Sequence, residues 1–199
     1  MHRPEIDIEG CRVGHQKFNE RVASLSDGDM TKPSMLPGWT VAHLLTHVAR
    51  NADSVVRRLE GAIRDEVLDQ YVGGREGRAD EIEAGMGRPA AEVIEDVSAS
   101  SAAVESVYAR MPDEAWPRLT RGVSGKEVPA STVAYQRWRE VEIHLVDLDL
   151  GYTTADLPKS LVDKMLEEAL PRLARRTDPN ALLGWVLGRG GAPELQQWG

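Results

Sequence analysis

The chain has 199 residues, and 24 Lys and Arg against 32 Asp and Glu give a formal net charge of −8 at pH 7, which argues against a general nucleic-acid binder. Hydrophobic residues make up 41%, enough for a real core in one domain or one domain plus a small addition; the single cysteine, Cys11, excludes an internal disulfide and any thiolate metal cage. No run of about 18 apolar residues is present and the opening MHRPEIDIEG lacks the apolar stretch of a secretory signal, so the expectation is a cytoplasmic protein with no membrane partner.

Apolar residues recur at three- and four-residue spacing through most of the chain, which predicts a mainly helical protein. A first helix is expected over about residues 6–25, with Cys11, Phe18, Val22 and Leu25 facing inward and SDGD closing it. LPGWT then places Pro37 and Gly38 in a turn and Thr40 at an N-cap. A second helix from Thr40 to about Leu68 carries the most sustained stripe, Val41, Leu45, Val48, Ala52, Val55, Leu59 and Ile63. Gly73-Gly74 interrupts, a short acidic helix follows near residues 78–83, and a third long helix is predicted over about 90–111. Residues 119–128 are the only β-like stretch, with Ser124-Gly125 closing a hairpin. A fourth long helix, about 132–150 with Ser131 as its cap, ends at Gly151; two further helical segments, 157–176 and 181–187, flank Asp178-Pro179. Long amphipathic helices with short linkers predict an antiparallel four-helix bundle with a short C-terminal helical extension.

Metal chemistry in such a chain falls to histidines and carboxylates. Glu140 and His144, four residues apart, differ by only about 40° around the fourth helix, point from consecutive turns and flank its apolar stripe. His47 flanks the stripe of the second helix in the same way. If the two helices are neighbours, the three form a His₂Glu set, the donor type of open catalytic zinc sites; an iron(II) facial triad uses the same residue types, and a Glu–His pair at this spacing is also common as a plain hydrogen-bonded pair. Asn51 and Asp147, each near a candidate ligand along its helix, are placed to orient an imidazole. His43 reads as exposed, His15 as a helix-surface residue, His2 as part of the terminus, and Cys11 as a small core residue.

The segments SMLPGWTVAHLLTHVARNAD, GREGRADEIEAG, VPASTVAYQRWREVEIHLVDLDLG and WVLGRG, with a terminal Trp198, occur in an order that resembles the mycothiol-dependent maleylpyruvate isomerase family of the DinB-like metalloenzyme superfamily. The resemblance implies a DinB-like bundle over residues 1–152, with zinc bound by His47, Glu140 and His144. It also implies a shortened C-terminal region, 153–199, packing on the bundle, because fewer residues separate His144 from Gly188 than in the family's isomerases.

Mycothiol is then the thiol cofactor and a small electrophile the substrate. The sulfur adds to the cis double bond of maleylpyruvate, the enolate rotates, and thiol expulsion gives fumarylpyruvate. Arg189, in the GRG segment, matches a family arginine needed for activity. Arg78 and Arg137 are further candidates for binding the carboxylates, with Asn51 beside them. Alternatives are a mycothiol S-transferase acting on another electrophile and a non-catalytic metal-binding bundle; a monomer or homodimer fits either.

Overall fold

The computed structural model describes residues 3–196, so His2 and Trp198 lie outside the described residues. They form helices α1 Glu5–Val22, α2 Asp27–Met30, α3 Val41–Ile63, α4 Gly74–Ala84, α5 Ala90–Arg110, α6 Ser131–Asp147, α7 Lys159–Ala169 and α8 Pro179–Val186. Strands β1 Leu119–Arg121 and β2 Glu127–Pro129 pair antiparallel in the predicted hairpin, Thr120 opposite Val128. Two compact units divide the chain, one ending at Thr154 and one beginning at Ala155.

In the first unit, α1, α3, α5 and α6 make a four-helix bundle around Phe18, Leu45, Leu59, Val97, Val104, Trp138, Val141 and Leu145, all buried. Contacts between helices fix their directions. Gly10 meets the Trp138 ring, Lys17 bonds Glu142 and Arg21 bonds the Leu150 carbonyl, so α1 and α6 run parallel. Arg50 reaches Asp96 while Glu60 pairs with Arg110, so α3 and α5 also run parallel, opposite in sense to the other pair. Two helices up and two down still make an antiparallel bundle. The parallel neighbours require a long return between α3 and α5, and residues 64–89, containing α4, supply it. That return lays α4 along the N-terminal part of α3, where a Cβ on Gly85 would collide with Thr46.

Several predicted boundaries shift for local reasons. SDGD does not merely close α1: Ser26 and Asp29 cap one another, the Ser26 amide donating to Asp29 Oδ2 at 2.8 Å, and wind the segment into α2. Helix α3 stops at Ile63 rather than near Leu68, because Asp65 takes a left-handed φ of 62° and the Glu66 amide returns to the Gly61 carbonyl. Ser131 is the first residue of α6 rather than its cap. The amides of Ala130 and Ser131 donate to the carbonyls of Arg118 and Trp116, and the Val133 amide donates to the Ala130 carbonyl. Thr40 does cap α3, with His43 Nδ1 accepting the Thr40 amide at 3.0 Å.

His15 is the clearest correction. It is 1% exposed, not on the surface, since it lies four residues after Cys11 and three before Phe18 on the inner face of α1. His43 is half-buried as part of the α3 cap rather than exposed.

In the second unit the predicted helix 157–176 tightens into a 3₁₀ turn over Leu170–Arg175, where Pro171 brings no amide to continue α7. Asp178 caps α8 by accepting the Ala181 amide at 2.7 Å. Gly188, at a φ of 66°, ends it, and the Arg189 amide folds back onto the Gly184 carbonyl. No helix among the described residues is long and apolar enough to cross a membrane.

Candidate metal centre

The loop before α3 is built to hold that helix against the end of α6. The Ser34 amide donates to the Trp39 carbonyl at 2.9 Å, and the Met35 amide donates to the carbonyl of Asp147, the last residue of α6, at 2.8 Å. Thr40 then starts α3, whose second turn carries His47. On α6, Glu140 and His144 rise from consecutive turns toward the same point.

There the three donor atoms form a nearly regular triangle. His47 Nε2 is 3.1 Å from His144 Nε2 and 3.3 Å from Glu140 Oε2, and His144 Nε2 is 3.4 Å from Glu140 Oε2. Ligands at about 2.0–2.1 Å from a tetrahedral zinc are separated by roughly 3.3–3.4 Å, so the triangle has the edge length of one face of a zinc tetrahedron. Two imidazoles and a carboxylate fit a divalent cation, and the fourth vertex is left to a ligand from outside the chain. Among the described residues this is the one group of three or more His, Cys, Asp or Glu side chains close enough to hold a metal ion.

The surroundings orient the ligands. His144 Nδ1 donates to Asp147 Oδ2 at 2.8 Å, which orients the ring so that its Nε2 faces the triangle. Burial pushes His47 down to about 4, so its ring is neutral. Burial acts the same way on His144, but the Asp147 and Glu140 carboxylates outweigh it and raise this ring to about 9. Burial would raise Glu140; hydrogen bonds from His144 and His47 instead hold it well below the usual carboxylate range. An anionic Glu140 thus lies beside a protonated His144, and a dication would take the place of that proton.

Comparison with known proteins gives this cluster a context. The profile of the mycothiol maleylpyruvate isomerase N-terminal domain matches residues 11–149, which include all three donors. The chain belongs to this family. A solved structure of the mycothiol-dependent maleylpyruvate isomerase superposes with a TM-score of 0.85 at 23% identity, covering 98% of this chain and 97% of its own. A histidine-to-alanine variant of the mycothiol-dependent maleylpyruvate isomerase gives 0.79 at 27% identity over 83% of this chain and 68% of its own. YfiT from Bacillus subtilis, described as a probable metal-dependent hydrolase with an unusual four-helix bundle topology, gives 0.59 at 13% identity, covering 81% of this chain and 87% of its own. The bundle is accordingly of the DinB-like type. No curated protein matches.

Within this maleylpyruvate isomerase-family bundle the remaining predicted residues separate. Arg78, on α4, lies beside the cluster: its Nη2 is 3.1 Å from His47 Nδ1, and its guanidinium lies over the rings of Trp39 and Tyr71 at 5.8 and 5.9 Å. Arg137 does not face the groove. It is 1% exposed, drawn into the bundle interior by acceptors on α1 and α3, and it donates to Asn51 Oδ1 at 2.9 Å. Asn51 is therefore committed to Arg137 rather than to the imidazole it was expected to orient. Arg189 is exposed in the second unit, just after the glycine that stops α8.

Trp39 is the residue that sequence reasoning passed over. Its ring packs edge-on against His47 at 5.5 Å and stacks with His43 at 6.1 Å, forming an aromatic wall of the site. The available signal was its place, directly before the Thr40 cap and so at the end of α3 that carries both histidines.

Proposed function

We propose that the chain is a mycothiol-dependent, zinc-dependent cis–trans isomerase that converts maleylpyruvate to fumarylpyruvate by reversible thiolate addition. The observation that carries this reading is the His47–Glu140–His144 triangle at zinc-tetrahedron spacing, within a family named for that reaction. His47, Glu140 and His144 would hold the zinc, which would supply the Lewis acidity that lowers a thiol from its ordinary pKa of about 8.5.

The attacking sulfur has to come from outside the chain. Cys11 is fully buried, and that burial pushes its thiol up to about 12, so it is neither accessible nor ionised at neutral pH. When an external thiolate adds to the double bond of maleylpyruvate, a carbon–sulfur bond forms and the π electrons move onto the conjugated ketone oxygen as an enolate. Rotation about the resulting single bond, then collapse of the enolate, expels the thiolate unchanged. The protein's task is to meet the negative charge of two carboxylates and an enolate with cations.

Arg78 is placed for this. Once His47 Nε2 serves as a ligand, the ring proton resides on Nδ1, which can no longer accept from Arg78; the guanidinium, still backed by Trp39 and Tyr71, is left to a substrate anion. Arg189 is the second cation, carried over from the family segment it matches.

Incubating the purified protein with maleylpyruvate, with and without mycothiol, tests the reading. Fumarylpyruvate should form only when thiol is present, with mycothiol recovered in full. Stoichiometric loss of mycothiol into a conjugate would make the protein an S-transferase, and no turnover in a zinc-loaded protein would make it a binding bundle. Cys11 provides a further check: Cys11→Ser should keep the thiol-dependent rate within a few-fold, and a thiol reagent should label Cys11 only after denaturation.

A further inference from the structure

The buried guanidinium of Arg137 joins helices that the metal centre needs in register. On α6 it lies one turn before Glu140. Its Nη1 donates to the Val48 carbonyl and to Asn51 Oδ1, both at 2.9 Å and both on α3, where Val48 directly follows His47. Its Nε donates to His15 Nε2 on α1 at 3.1 Å, and His15 Nδ1 faces Glu105 Oε1 on α5 at 3.3 Å. One planar fork thus starts a network that reaches all four bundle helices.

Its place matters because of how the bundle packs. Helix α3 packs most extensively on α5, and α6 on α1; the α3–α6 contact is much smaller. Yet His47 stands on α3 and both other donors stand on α6. A slide of a few tenths of an ångström between these helices would open the 3.3 Å separation of His47 Nε2 and Glu140 Oε2 beyond the edge of a zinc tetrahedron. We propose that Arg137 is a positioning residue that fixes the turn of α3 bearing His47 against the turn of α6 bearing Glu140, and so sets the affinity for a divalent metal. This rests on the metal-centre reading given above. The guanidinium suits the task because its donors are held rigidly in one plane and reach two helices at once, which a lysine ammonium cannot reproduce.

The test is a zinc titration of metal-stripped full-length protein against a chromophoric chelator, with thermal melting of the metal-free protein recorded in parallel. Val104→Ala serves as the control: Val104 is a fully buried core residue on α5, a helix that carries none of the three donors and no direct partner of the Arg137 guanidinium. Arg137→Met should weaken zinc binding about 10- to 100-fold, the range expected when the support of a metal ligand is removed. Arg137→Lys should weaken it as well. Val104→Ala should stay within about threefold of wild type despite a lower melting temperature.

Zinc binding by Arg137→Met within threefold of wild type overturns the proposal. So does an equal loss in Val104→Ala, which would mark the effect as general loosening of the fold. If Arg137→Met does not fold, Asn51→Leu decides, because it removes an α3 acceptor of the fork while leaving the arginine; an unchanged zinc affinity there overturns the proposal. A wild-type protein that binds no zinc overturns the metal-centre reading itself, and the proposal with it.

Discussion

A His47→Ala variant is expected to lose nearly all bound zinc and to drop mycothiol-dependent turnover about a thousandfold or more, while its helices stay formed. The other two donors are 3.4 Å apart on one helix, and without α3's contribution they hold a metal by two contacts rather than three, with no constraint from the opposite wall. The imidazole is 4% exposed, so its removal also leaves a small void against Trp39, a cost of about 1–2 kcal/mol that the bundle core should absorb. Metal analysis and circular dichroism on the same sample separate the two effects. Near-stoichiometric zinc at unchanged affinity in this variant would remove His47 from the centre.

Arg189→Ala should lower kcat/KM for maleylpyruvate by one to two decades with metal content unchanged. A charge-assisted hydrogen bond to a carboxylate or enolate contributes about 1.5–3 kcal/mol, and that is the size of the expected loss. The backbone around it is specified locally, since Gly188 adopts the left-handed conformation that ends α8 and sets the direction in which Arg189 leaves the helix. Loss expressed in kcat rather than in KM would assign the residue to the enolate; loss expressed in KM would assign it to a carboxylate of the ground state. Unchanged kinetics would instead leave Arg78, beside His47, as the principal cation.

The candidate ligands were legible because helical phase is a local property. Glu140 and His144 share a face whatever the tertiary structure, and Asp147, three residues past His144, reaches its outer nitrogen by the same rule. That α3 and α6 would be the neighbours joining His47 to them was not local, and only the order of the family's segments suggested it. Arg137 shows the opposite limit. Its sequence position flanks the ligand face, but its side chain follows hydrogen-bond acceptors on α1 and α3, which periodicity along α6 does not reveal. His15 went astray similarly, because a titratable residue on an inner helix face is normally excluded from a core, and here Arg137 and Glu105 supply the partners that permit it. The parallel pairing of α3 with α5 was hidden for a topological reason: the return through α4 looks, in sequence, like an ordinary connection between successive helices.

The central claim is that His47, Glu140 and His144 hold one divalent metal on which a thiol-dependent reaction depends. Quantifying metal in the purified protein, then assaying maleylpyruvate turnover with mycothiol before chelation, after chelation and after zinc is restored, tests it most directly. One zinc per chain, activity lost with the metal and regained with it, is the predicted result; a metal-free protein that turns over maleylpyruvate at the full mycothiol-dependent rate would contradict it.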